Sequence, residues 1–144
     1  MSGERILIVD DDDDIRRLVA EILRLDGFVV EEAPCGLDAL ERLRSQPAPD
    51  LVLLDVQMPD VDGWEALRTV RADESLASLA VVFCTVKASQ ADRTLAWELG
   101  CDGYLTKPFS ITELRAEVAT VARRTAAQRR TYRQAMRQQR SALQ

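Results

Sequence analysis

Histidine is absent from this 144-residue chain. Its absence removes the commonest general base and the Ser-His-Asp type of triad. Cysteine is scarce: Cys35, Cys84 and Cys101 are odd in number, widely spaced and form no Cys-x-x-Cys pair. Neither a zinc site nor a disulfide framework is expected, and the three read as small core residues of a reducing cytoplasm. No run of about 18 consecutive apolar residues occurs, so no membrane span is expected. The N-terminus, MSGERILIVDDDDD, lacks a basic region followed by an apolar stretch and a small-residue cleavage site. The chain therefore reads as cytoplasmic. Acid is missing from one end. Residues 1–118 carry 12 Lys and Arg against all 24 Asp and Glu, a net of -12, whereas residues 119–144 carry seven arginines and no acid. An acidic body thus precedes a basic tail.

Apolar runs alternate with helical patterns along the body. RILIV (5–9) reads as a buried strand. In DIRRLVAEILRLD (14–26), Ile15, Leu18, Val19, Ile22 and Leu25 recur at three- and four-residue steps, an amphipathic helix that Gly27 ends. FVVEEA (28–33) suggests an edge strand, GLDALERLRS a second helix, LVLLD a strand and WEALRTVRA a third helix. LAVVFC (79–84) is a strand, SQADRTLAWELG a helix stopped by Gly100, and DGYLT (102–106) a short strand. A fifth helix starts near Ser110, with Glu113 completing a capping box. Five β units alternating with five α units predict a parallel sheet covered by helices on both faces. The near-continuous aliphatic strands agree, because a parallel strand is buried on both sides.

In an open α/β sheet, ligands bind beyond the carboxyl ends of the strands. The residues found there are Asp10 and Asp11 after ILIV, Asp55 after LVLL, Thr85 after VVFC and Lys107 after GYLT. Asp55 closes an aliphatic run because the strand opens there onto a pocket mouth. Crowded carboxylates raise one another's pKa values unless a hard cation joins them. Donors that are all oxygen favour Mg²⁺. Such a site suits phosphoryl transfer, with an ionised carboxylate as nucleophile.

LIVDD, LLDVQMPDVDG, CT and YLTKPF, in that order, resemble the receiver domain of bacterial two-component response regulators across about residues 4–121. The resemblance implies a flavodoxin-like (βα)5 doubly wound parallel sheet of strand order 2-1-3-4-5. It implies that Asp55 accepts a phosphoryl group from the phosphohistidine of a sensor histidine kinase or phosphotransfer protein. Asp11, Asp55 and the backbone carbonyl of Gln57 would bind Mg²⁺, with Asp10 acting mainly through a metal-bound water. Lys107 would pair with phosphoryl oxygens, and the Thr85 hydroxyl would swing onto one of them. Tyr104 would follow inward, changing the face made by the fourth helix, fifth strand and fifth helix. The Lys107–Pro108 bond would be cis. Such a protein catalyses its own phosphorylation and dephosphorylation and turns over no separate substrate.

Asp10, Asp12, Asp14 and Glu21 have the ligand spacing of an EF-hand loop. However, Ile15 stands where that loop needs Gly, and a strand precedes it where a helix is needed. Asp12 to Asp14 read as caps of the first helix. A phosphorylation-independent receiver-like interaction module would not require the full set of site residues. An Asp-nucleophile phosphatase would need an acid two residues after Asp55, where Gln57 stands. Asp60 and Asp62 read as loop and cap residues, Trp64 and Trp97 as helix surface or packing groups.

Residues 1–121 are taken as the receiver and 122–144 as a basic helical extension. The tail has no Gly or Pro and would extend the fifth helix. Tyr132, Met136 and Leu143 form a thin apolar stripe. The stripe is poor in large aliphatics, so the tail reads equally as a coiled-coil or signalling helix, as a solvated basic helix, or as an arginine face docked on the acidic receiver. A homodimer through the fourth-helix, fifth-strand, fifth-helix face or through the tail stays open. The arginines come with no nucleic-acid reading motif, so nucleic acid is not an expected partner of this chain.

Overall fold

In the computed structural model, residues 4–45 and 47–142 are described. Strands β1 (Arg5–Val9), β2 (Val29–Ala33), β3 (Leu51–Leu54), β4 (Ala80–Thr85) and β5 (Gly103–Thr106) alternate with helices α1 (Asp13–Leu25), α2 (Gly36–Arg44), α3 (Gly63–Ala72), α4 (Gln90–Leu99) and α5 (Ile111–Arg123). All pairings are parallel, in the order β2-β1-β3-β4-β5. The flavodoxin-like arrangement is therefore present, with β2 on an edge as its weaker apolar pattern requires.

Strand residues alternate between two cores. Leu7, Val9, Val52, Leu54, Val81 and Phe83 face α2, α3 and α4, while Ile6, Ile8, Leu51, Leu53 and Val82 face α1 and α5. Burial on both sides explains why these segments are aliphatic without a polar alternation. Helix ends obey local chemistry. The Asp12 side chain accepts the N–H groups of Asp14 and Ile15, and Ser110 with Glu113 forms the expected reciprocal capping box. Gly100 ends α4 in the left-handed region at φ 99°, a conformation that glycine adopts without a Cβ penalty.

The tail is helical but does not continue α5. The chain leaves the helix at Arg124 (φ -80°, ψ 142°) and starts α6 (Ala126–Ala142). The break has a signal: Thr125 and Gln128 form a second capping box. The Gln128 N–H donates to Thr125 Oγ1 at 3.1 Å, and the Thr125 N–H donates to Gln128 Oε1 at 2.8 Å. α6 turns back onto α4, so the thin stripe is used within the chain. Tyr132 meets Trp97 edge-on and Met136 packs on the α3–α4 core. Leu143 lies outside the described residues. No helix among the described residues is long and apolar enough to cross a membrane.

Candidate functional site

The parallel ladder places the site. Asp10, Asp55 and Lys107 are the first residues beyond β1, β3 and β5, and Thr85 is the last residue of β4. Their backbones are held by the ladder's final rungs: the Asp10 N–H donates to the Ala33 carbonyl, the Asp55 N–H to Val9 at 3.1 Å, and the Lys107 N–H to Thr85 at 2.8 Å. Side chains separated by up to 97 residues thus share one edge. The Lys107–Pro108 peptide bond is cis.

Carboxylate oxygens of Asp10, Asp11 and Asp55 all lie within 4.8 Å of one another. Lys107 Nζ donates to Asp10 Oδ2 at 2.6 Å and to Asp55 Oδ2 at 3.0 Å. Asp55 is only 7% exposed, whereas Asp11 is open to solvent. The remaining oxygens have work as well: Asp10 Oδ1 accepts the Asp12 N–H at 2.9 Å and Asp55 Oδ1 the Gln57 N–H at 3.1 Å. Burial pushes the Asp55 carboxyl above the ordinary aspartate value against the opposing pull of Lys107, and the neighbouring Asp10 adds to the rise. Burial draws the Lys107 ammonium down, but its bonds to Asp10 and Asp55 outweigh that and leave it above the ordinary lysine value. Three carboxylates against one ammonium leave two negative charges uncompensated. An all-oxygen donor set with that excess fits a hard divalent cation. Asp11, Gln57, Met58, Trp64 and Lys87 line an open cleft of about 540 Å³ beside the cluster.

The sequence-expected residues Asp10, Asp11, Asp55, Gln57 and Lys107 are therefore brought together. Thr85 is fully buried in the same edge, and its Oγ1 accepts the Lys87 N–H at 3.2 Å. Tyr104 lies one layer deeper, already turned inward. Its ring packs edge-on against Phe83 at 6.1 Å, and its hydroxyl donates to the Lys87 carbonyl at 2.6 Å.

Two supporting residues, Arg16 and Arg93, carry no clear mark in the sequence, and a third, Asp60, is marked only in part. Arg16 of α1 donates to the Asp10 carbonyl at 2.8 Å and to Glu32 at 3.1 Å, pinning the acidic loop. Its only sequence signal is its place three residues after Asp13. Arg93 of α4 donates to Thr106 Oγ1 at 2.6 Å and sits over the Tyr104 ring at 4.9 Å. No sequence pattern marks it. Asp60 is a cap, as expected of an acidic loop residue, but it caps another element. Its carboxylate accepts the Gly36 and Leu37 N–H groups at the start of α2, where Cys35 supplies no side-chain cap. The Val61 N–H, then the Cys35 thiol, then these two N–H groups hold its carboxyl down at about 2. The loop after Asp55 is thereby tied to α2.

Comparison with known proteins agrees with this geometry. The response regulator receiver domain family matches residues 6–119. The transcriptional regulatory protein GltR of Pseudomonas aeruginosa is 40% identical over 123 residues, 85% of this chain and 50% of that protein. The DNA-binding dual master transcriptional regulator RpaA of Synechocystis is 39% identical over 121 residues, 84% of this chain and 50% of that protein. This chain thus spans about half the length of the curated relatives it matches. Both relatives are named as transcriptional regulators, which partly opposes the expectation that nucleic acid is not a partner of this chain. Among solved structures, the chemotaxis response regulator CheY4 of Vibrio cholerae superposes with a TM-score of 0.78 at 28% identity, over 83% of this chain and 99% of that one. A putative response regulator from Chloroflexus aurantiacus gives 0.80 at 30% identity, over 85% of this chain and 100% of that one. The family match covers most of the chain, and the carboxylates, threonine and lysine stand at one edge of a 2-1-3-4-5 sheet. On both grounds this chain belongs to the response regulator receiver domain family.

Proposed function

We propose that the chain accepts a phosphoryl group on Asp55 from the phosphohistidine of a sensor histidine kinase or phosphotransfer protein. The observation that carries this reading is the buried Asp55 carboxylate, held 3.0 Å from Lys107 and within 4.8 Å of Asp10 and Asp11 at an open sheet edge. An Asp55 oxygen attacks phosphorus, the P–N bond to the donor imidazole breaks, and an acyl phosphate remains on Asp55. An ionised Asp55 carboxylate needs no general base, because it has no proton to lose. Lys107 neutralises charge on the phosphoryl oxygens, and the Thr85 hydroxyl leaves the Lys87 N–H to donate to one of them. Asp11, Asp55 and Gln57, with Asp10 behind them, would hold Mg²⁺, which when bound supplies charge neutralisation and in-line positioning.

The donor has a surface beside the acceptor. Ile15, Leu18 and Ile22 of α1, with Phe109, Ile111 and Leu114, line an apolar groove of about 350 Å³ that ends at Lys107. Leu18 is 57% exposed and Ile111 51%. A helical, phosphohistidine-bearing partner laid in this groove would present its phosphoryl group to Asp55. The output face is α4, β5 and α5, reached through Thr85 and Tyr104. Where the chain is joined to a segment like the other half of its transcriptional relatives, nucleic acid is that segment's partner.

Incubation with acetyl phosphate, read by intact mass, tests the reading. One phosphoryl group should appear on the Asp55 peptide with Mg²⁺ and none with EDTA. No adduct under any condition would make the chain an interaction module, and steady turnover of a phosphoester would make it a phosphatase. Two further outcomes are expected. At about a hundred times its dissociation constant, Mg²⁺ should stabilise the fold by roughly 2.7 kcal/mol, read as a rise in melting temperature that Asp11→Asn removes. Lys107→Ala should slow adduct formation about a hundredfold, the usual effect of removing one preorganised charge-stabilising donor. The same change should leave Mg²⁺ binding intact or tighter, because it deletes a competing cation.

A further inference from the structure

Helix α6 and the acceptor edge both contact α4, at neighbouring turns, and α6 also holds the segments that lead into β4 and β5. On the α6 side, Arg129 donates to the Ser78 carbonyl ahead of β4 at 2.7 Å. Arg133, only 8% exposed, donates to Asp102 Oδ1 ahead of β5 at 2.5 Å. Arg137 Nε donates to the Trp97 carbonyl in the last turn of α4 at 3.1 Å, a favourable place for a cation. Tyr132 meets the Trp97 ring edge-on at 5.7 Å and lies under the Arg124 guanidinium at 3.9 Å. On the acceptor side, Arg93 in the first half of α4 holds Tyr104 and Thr106. The Tyr104 hydroxyl in turn holds the carbonyl of Lys87, two residues after Thr85. Both anchors belong to one uninterrupted ten-residue helix, where Arg93 and Trp97 stand about one turn apart, roughly 6 Å along the axis. Packed helices move as rigid bodies, so a shift at one anchor reaches the other.

We propose that α6 is a brace on α4: docked through Arg133 on Asp102, it holds α4 where Tyr104 packs inward and thereby strengthens retention of a phosphoryl group at Asp55. Arg133 is then a positioning residue acting through α4. The proposal rests on Asp55 being the phosphoacceptor.

The charge balance makes the docking reversible. Asp102 Oδ2 already accepts Arg71 Nη2 and the Val81 N–H, both at 2.9 Å. Two guanidiniums therefore share one buried carboxylate. Burial pushes Arg71 down to about 10, and the charge of Arg133 contributes to that fall. Undocking α6 leaves a neutral, hydrogen-bonded Arg71–Asp102 pair, so the core is not orphaned. Coupling between two sites is reciprocal. Whatever α6 adds to phosphoryl binding, phosphoryl binding returns to α6 docking by the same factor.

The test uses the full chain with Mg²⁺ and beryllofluoride. Bound fluoride is read by fluorine NMR, and α6 docking by hydrogen exchange of its amides. Beryllofluoride is expected to slow α6 exchange in the parent about fivefold or more. Arg133→Ala is expected to speed that exchange and to weaken beryllofluoride by a similar factor with Mg²⁺ affinity unchanged, and Arg133→Lys to restore part of both. A merely structural α6 would lower the melting temperature and leave beryllofluoride affinity unmoved. If beryllofluoride binds the parent without altering α6 exchange, the brace is overturned and the acceptor reading stands. If it does not bind the parent at all, both fall.

Discussion

The Asp55→Asn chain is expected to melt at a higher temperature than its parent in EDTA while taking up no phosphoryl group from acetyl phosphate with Mg²⁺. The loss of the adduct follows from replacing an anionic nucleophile with a neutral amide. The gain in stability follows from the site's electrostatics. Asp55 is buried, faces Asp10, and shares one ammonium with it. Its folded pKa lies above the unfolded value because burial disfavours the charged form. A carboxyl raised in this way costs stability above its folded pKa, and the cost disappears as pH falls through that value. The cost is therefore carried wherever the Asp55 carboxyl is ionised. The amide removes it and can still accept the Gln57 N–H. A gain of about 1 kcal/mol is in the usual range for relieving a functional site of its strain, and it should shrink as the pH is lowered into the acid range. Thermal melts of both chains across pH check this. A lower melting temperature for the variant at neutral pH would mean that the Lys107 pair outweighs the burial penalty.

Gly63→Ala is expected to cost about 3 kcal/mol in urea unfolding, the upper end of the usual range for overpacking. A Cβ built on Gly63 would lie 2.5 Å from the Asp55 carbonyl oxygen and 2.7 Å from the Val56 Cα. Both neighbours are backbone, so no side-chain rotation can make room. The Gly63 N–H also donates to the Val56 carbonyl at 2.8 Å, which holds α3 against the main chain beside Asp55. The same change should therefore slow phosphorylation in whatever fraction folds. A variant of parental stability would show that the loop from Val56 to Asp62 can shift without cost.

Much of the site was legible because it sits on strand ends. In a parallel sheet every strand's carboxyl end emerges on one side, so four short runs that each finish in Asp, Thr or Lys must converge. Asp10, Asp55, Thr85 and Lys107 needed only that rule. Asp12 and Ser110 were legible for another reason, since a cap acts within its own turn. Asp60 was only half legible: its type announced a cap, but the helix it caps begins 24 residues earlier. Arg16 and Arg93 resembled ordinary charged residues on amphipathic helices, and their roles come from packing partners on neighbouring strands. The tail shows the boundary most clearly. Its helix propensity was correct, and the Thr125–Gln128 box could have placed the break. Nothing local announced that Arg133 would be buried on Asp102.

By itself the sequence determined the alternation of strands and helices, the edge at which the acidic and basic residues gather, and the caps that start the helices. Those depend on periodicity and on bonds made within a few residues. Only the tertiary structure decided which carboxylates share Lys107, that Tyr104 already lies inward under Arg93, and that the basic tail folds back to hold α4. Each of these is a contact between residues distant in the chain. Its energy depends on desolvation and on which partner lies opposite, and neither quantity is written in a local pattern.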